Sequence, residues 1–218
     1  MLGTILLIDK PKGISSFDVI RELRKKLGKK KIGHAGTLDP LASGLMIVGV
    51  DEGTKELSKL IKLPKTYEVS VMLGESRTTG DLEGEVIEKV AVSEIDESEV
   101  QKVLEGLKGK LKLAVPRYSA IKVEGERLYR RARRGEEFEP PIKEMEVIDV
   151  ELKKCHKSDD VYVLDLVINV GSGTYIRSLA LEIGKRLGYP ATVQALRRTK
   201  IGEFEIADAQ KLDAIHKT

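Results

Sequence analysis

Gly33-His34-Ala35-Gly36-Thr37-Leu38-Asp39-Pro40-Leu41-Ala42-Ser43-Gly44 separates a basic segment from an apolar run. Three glycines and an Asp-Pro step within twelve residues specify a loop, because glycine supplies positive φ and Asp-Pro favours a turn. On its N-terminal side, Ser15 or Ser16 offers a helix N-cap. Val19, Ile20, Leu23 and Leu27 then recur at helical spacing, and Gly28 stands where the helix should stop. On its other side Leu45 to Val50 reads as a short buried strand, and Thr4 to Ile8 as another. A loop carrying a histidine and an aspartate beside a basic helix suits chemistry on a polyanion. A purely structural turn explains the same residues, and on them alone both readings stay open.

Further along, Tyr67, Val69, Val71 and Leu73 alternate within Lys65–Leu73, predicting a strand with one buried face. Ser93 to Asp96 carries helix-start chemistry ahead of an apolar stripe of Val100, Val103, Leu104 and Leu107. Glu144–Leu152 and Val161–Val170 read as two more strands. Gly171-Ser172-Gly173 breaks the second, and Ile176, Leu179, Ala180, Ile183 and Leu187 give a helix ended by Gly188. The chain closes with a strand-like Ile201–Ile206 and a short helix. Strands and helices alternate irregularly, which predicts an α+β fold with a large, mixed, mostly antiparallel sheet flanked by helices, rather than a doubly wound parallel one.

Composition removes several classes of function. Cys155 is the only cysteine, so there is no internal disulfide and no Cys-based zinc site. His34, His156 and His216 are far apart in sequence, and no metal is expected. Gly171-Ser172-Gly173 lacks the third glycine of a dinucleotide fingerprint, and Gly49–Lys55 has the wrong spacing for a phosphate-binding loop. No apolar run is long enough for a signal sequence or a membrane span, so a cytoplasmic protein is expected. Net charge is only +3, but its distribution is uneven. Arg21 to Lys31 holds seven bases against one acid, and Arg127 to Arg134 holds five arginines in eight residues. Clustered bases on a near-neutral chain suggest a directed polyanion-binding face; two solvated helix faces are the bland alternative.

The twelve-residue loop resembles the catalytic motif of the TruB-type pseudouridine synthases. So do, in family order, Leu7-Ile8-Asp9-Lys10-Pro11 with Gly13 and Ser15-Ser16, Lys65-Thr66-Tyr67, Pro116 to Lys122, Gly173-Thr174-Tyr175-Ile176-Arg177, and Leu196-Arg197-Arg198. The resemblance runs from residue 2 to about residue 206. It implies the pseudouridine synthase fold as one catalytic domain over 1–218, with no room for the C-terminal RNA-binding domain of the PUA type that many members carry. It also implies a cofactor-free isomerisation of uridine to pseudouridine at position 55, in the T-loop of tRNA.

By the same resemblance Asp39 is the nucleophile, and Arg177 supplies the charge that orients it. Tyr67 lies beneath the uracil and offers a hydroxyl as a possible base. His34 fills the space left by a flipped-out uridine, Tyr175 and Leu196 line the pocket, and Lys10 contacts RNA. Arg21, Arg24, Lys25, Lys26, Lys29, Lys30, Arg130 and Arg131 are expected to meet phosphates of the T-stem-loop, with the protein acting as a monomer. One departure stands out. Where the family has T-D-T-x-D, this chain has Arg77-Thr78-Thr79-Gly80-Asp81, with Thr78 in place of the first aspartate. Two rivals remain: a guide-dependent synthase acting on ribosomal RNA, and an RNA-binding module that chaperones tRNA folding.

Overall fold

The computed structural model describes residues 4–215. In chain order the first elements are β1 (Thr4–Lys10), α1 (Ser16–Leu27), β2 (Ile32–His34), β3 (Ser43–Val50), α2 (Leu57–Leu60) and β4 (Lys65–Leu73). The middle of the chain forms β5 (Glu75–Arg77), β6 (Val86–Lys89), α3 (Glu97–Glu105), β7 (Gly109–Ala114), β8 (Lys122–Val123), β9 (Glu126–Arg127) and α4 (Leu128–Arg133). The remainder is β10 (Ile142–Ser158), β11 (Val161–Val170), α5 (Ile176–Leu187), β12 (Ala191–Ile201), β13 (Phe204–Glu205) and β14 (Gln210–Lys211). The ten-stranded sheet runs β14-β1-β3-β12-β4-β11-β10-β7, with β2 added on β3 and β13 on β12. It is mixed: β1 pairs antiparallel with β3 and parallel with β14, and β12 pairs parallel with β3. The α+β architecture expected from the sequence is the one observed.

The described chain divides into two compact units. The first comprises residues up to Glu68, Ile168–Ser172 and the segment from Ala195 onward; the second comprises Val69–Val167 and Gly173–Gln194. The first unit buries Ala35, Leu45, Ile47 and Ile201, with Leu57, Leu60, Leu63 and Phe204 packed against them. The second has a core around Val115, Leu128 and Met145, closed by Leu113, Ile121 and Phe138.

The helix ahead of the loop is built as its sequence suggests. Ser15 is the N-cap of α1: its hydroxyl accepts from the Asp18 amide, and the Asp18 carboxylate accepts from the Ser15 amide, satisfying two otherwise orphaned donors. Gly28 ends the helix in the left-handed region at φ 62°. Ser16, the other candidate cap, is turned inward and buried.

Several elements differ from the sequence reading. The strand expected over Glu144–Leu152 runs from Ile142 to Ser158, and the terminal strand-like stretch is the short β13 after a turn at Gly202-Glu203. The closing helix is two 3-10 turns, Ile206–Asp208 and Leu212–Ala214. β12 was not anticipated. Its N-terminal half mixes Ala191, Val193 and Ala195 with Thr192 and Gln194, and Arg198 is buried further along, so no clean alternation marks it. His216 lies outside the described residues.

Candidate active site

The loop bearing Asp39 belongs to the first unit and is fastened along its length by hydrogen bonds. The Ala35 amide donates to the Ile47 carbonyl at 2.9 Å, the Gly13 amide to Pro40 O at 2.8 Å, and the Ala42 amide to Asp39 O at 3.1 Å. The Ser16 hydroxyl donates to Leu38 O at 2.9 Å and accepts from the Leu38 amide at 2.7 Å, both within the protein interior. Asp39 itself is half-buried.

Arg198 completes this scaffold. Its Nε donates to Leu45 O at 2.7 Å and its Nη2 to Gly36 O at 3.2 Å, so one guanidinium spans the two ends of the loop. The backbone makes this reach possible. Arg198 pairs with Gly44, whose φ is +105°, and a Cβ there would come within 2.2 Å of Arg198 O, so only glycine fits.

Beside Arg198, the Lys65 ammonium donates to Ile61 O at 2.5 Å, Leu63 O at 2.6 Å and Ser172 Oγ at 3.3 Å. Burial, and then the Arg198 guanidinium, bring its pKa down to about 8. The same two causes in the same order lower the pKa of His34, partly opposed by a hydrogen bond to the Gly36 backbone, so His34 is neutral at physiological pH. Its Nδ1 is buried and has no hydrogen-bond partner among the described residues. Tyr67 is 8% exposed on β4, and Leu196 is half-buried on β12. Lys10 is fully buried, and its ammonium donates to Pro11 O and Ile14 O at 2.9 and 2.6 Å. It therefore ties the β1–α1 turn together, where the sequence reading gave it to RNA.

In the second unit Arg177 is buried in the first turn of α5. A cation at a helix N-terminus opposes the helix dipole, and here three oxygens compensate. Nη1 donates to Thr79 O at 2.8 Å, Nη2 donates to Tyr118 O at 3.0 Å, and the Asp81 carboxylate lies 3.7 Å away. Thr79 and Asp81 are the residues retained from the family's T-D-T-x-D run. The departing Thr78 is exposed, and its hydroxyl accepts from the Glu85 amide, closing the turn between β5 and β6. Tyr175 precedes α5, half-buried against the Val115–Met145 core.

The expected phosphate-binding residues divide into two groups. Arg24, Lys25, Lys29 and Lys30 line a shallow cleft of about 400 Å³ at the end of α1. Within this set Lys29 pairs with Asp51 at 2.8 Å, and Arg24 donates to Ile32 O. Arg21 pairs with Asp18, and Lys26 donates to Leu212 O. On α4, Arg131 is engaged by Glu136 and stacked over Phe138, and Arg134, just past the helix end, is engaged by Glu126 and Glu136. Arg130 is exposed. The sequence reading missed the parts played by Ser16, Lys65, Asp81 and Arg198. All but Asp81 act on backbone carbonyls, which leave no trace in a sequence.

Residues 24–176 match the model of the TruB family pseudouridylate synthase N-terminal domain, and residues 177–218 that of a tRNA pseudouridylate synthase B C-terminal domain. The fold is that of the pseudouridine synthases. A chain of a Cbf5–Nop10–Gar1 complex superposes with a TM-score of 0.70 at 26% identity, covering 97% of this chain and 52% of that one. A chain of an H/ACA RNP bound to a substrate RNA containing 2′-deoxyuridine gives 0.69 at 24%, covering 97% and 51%. This protein thus spans about half the length of either solved chain. The tRNA pseudouridine synthase B of Thermobifida fusca (strain YX) is 39% identical over 219 residues, 99% of this chain and 75% of that protein. That of Mycobacterium sp. (strain KMS) is 38% identical over 213 residues, 98% and 72%. The chain belongs to the TruB family of pseudouridylate synthases.

Proposed function

We propose that this protein converts uridine to pseudouridine at position 55, in the T-loop of tRNA, with Asp39 as nucleophile on a flipped-out uridine. The observation that carries the reading is the half-buried aspartate on a loop fastened from Ala35 to Ala42, within a chain whose family is established. A nucleophile on a rigid, partly covered loop is held ready for attack. The names of the relatives support tRNA as the substrate.

The reaction breaks the N1–C1′ bond and forms C5–C1′. The C5 hydrogen leaves as a proton and N1 gains one, so no atom is gained or lost overall. A carboxylate that forms and then releases a covalent bond divides this exchange into two easier steps. Extracting the base from its loop costs a few kcal/mol. Stacking on an aromatic face, the role given to Tyr67, recovers roughly 1–3 kcal/mol. A neutral His34 suits the space the base vacates, since it demands no counter-ion there.

The test is tritium release from a tRNA transcript labelled at uracil C5. One equivalent per tRNA from the native chain, abolished in Asp39→Asn, is the expected result. No release from a folded native chain that binds the transcript would overturn the assignment.

A further inference from the structure

Ser16 and Arg198 lie outside the roles given above, yet both act on the segment that carries Asp39. Each is almost fully buried. Ser16 binds both polar groups of Leu38, the residue before Asp39. Arg198 binds the carbonyl of Gly36, three residues before it, and that of Leu45 beyond it. A staple made only for stability needs no charge, and burying a guanidinium is costly when no carboxylate compensates it. Among the described residues Arg198 has no carboxylate partner, and neither does Lys65. Both approach Gly36: a Cβ there would lie 3.6 Å from Arg198 Nη1 and 4.0 Å from Lys65 Cε. Two neighbouring buried cations without a carboxylate partner among the described residues break a local rule, and such breaks concentrate at functional sites.

We infer that Ser16 and Arg198 are positioning residues for the Asp39 nucleophile, setting the backbone from Gly36 to Asp39 at the geometry the reaction needs. The inference rests on Asp39 being the nucleophile. Ser16 fixes the peptide next to Asp39 from the α1 side, and Arg198 fixes the loop's entry and exit from β12. The planar fork of Arg198 reaches two carbonyls in fixed directions, which the point charge of a lysine does not reproduce.

The experiment compares the full chain with Ser16→Ala, Arg198→Lys and Asp39→Asn. It measures thermal melting, tRNA affinity and the single-turnover rate of tritium release at saturating enzyme, well below every melting point. Ser16→Ala and Arg198→Lys are each expected to slow the single-turnover step at least about tenfold, because small misplacements of a reacting group are expensive. Their affinity for tRNA should stay within about twofold of the native value, since neither side chain is placed to touch RNA. A purely structural role would lower the melting temperature and leave the rate of the folded protein unchanged. Folded variants that turn over within about twofold of the native rate overturn the inference. If Arg198→Lys does not fold, Ser16→Ala decides, as it removes one hydroxyl and no charge. Asp39→Asn separates the two levels. An active Asp39→Asn sinks the nucleophile assignment, whereas an inactive one beside a fully active Ser16→Ala sinks only the positioning role.

Discussion

Lys65 shows what a single buried charge does to this protein. Its pKa falls from 10.5 to about 8, through burial first and Arg198 second. Below about 8 both folded and unfolded chains hold the proton, and the cost of burying the charge is fully present. Between about 8 and 10.5 the unfolded chain binds more protons than the folded one, so this residue's contribution to stability rises with pH. Lys65→Met keeps the aliphatic stem without the ammonium. The stability of the native chain relative to this variant should grow between about pH 7.5 and about pH 10, as read by urea unfolding. A constant difference would mean that Lys65 holds its proton as a lysine in water does. Tyr67 makes the second prediction at this scale. It is almost fully buried on β4, so Tyr67→Phe preserves packing and removes only the hydroxyl. If the ring carries the stacking, Tyr67→Phe should bind tRNA like the native chain while losing rate. Tyr67→Leu should also weaken binding, by roughly 1–3 kcal/mol. Equal binding by both variants would take the ring out of base recognition. At the residue scale the sequence nominates Asp39, Tyr67 and Arg177 through a recognisable motif order. It could not expose Ser16 or Arg198 as loop fasteners, since their partners are main-chain atoms that any residue could supply.

Elements were legible where their ends are written in side-chain chemistry. α1 is bounded by a capping box and a glycine in the left-handed region, and α5 ends at Gly188 with φ 79°. β4 and β11 alternate cleanly enough to be read residue for residue. β12 failed that test because it buries Arg198 where a period-two pattern calls for an apolar side chain. The last turns of β10 failed because Lys153 to Ser158 are polar and partly or fully exposed. The α1 cap is a direct prediction. Ser15→Ala should cost about 1 kcal/mol of stability, through an N-cap hydrogen bond lost at the Asp18 amide. Chemical denaturation reads it, and an unchanged midpoint would show that Asp18 holds the first turn without its partner. Ser16→Ala differs in kind: it leaves the cap intact and releases Leu38 instead.

For the molecule as a whole, net charge and charge placement make different predictions about RNA binding. A net charge of +3 on a chain with 38 basic and 35 acidic residues gives only weak attraction for a polyanion if the charges are evenly mixed. Placement says otherwise. Lys25, Lys30, Arg127, Arg130 and Arg133 are exposed and have no carboxylate partner among the described residues. Lys29 and Arg131 are held by Asp51 and Glu136. Each cation that displaces a counterion from a phosphate adds roughly 0.7–0.9 to the slope of log affinity against log salt. If all five unpartnered cations reach phosphates, the slope is about −4. Replacing the five by glutamine should bring it towards zero and weaken binding at low salt. The single-turnover rate at saturating enzyme should be unchanged, because none of the five is assigned to the reacting loop. Neutralising the Lys29–Asp51 and Arg131–Glu136 couples together leaves net charge at +3 and should leave the slope where it was. If instead the couples set the slope and the five exposed cations do not, these ion pairs open on binding, and the phosphate contacts belong to Lys29 and Arg131.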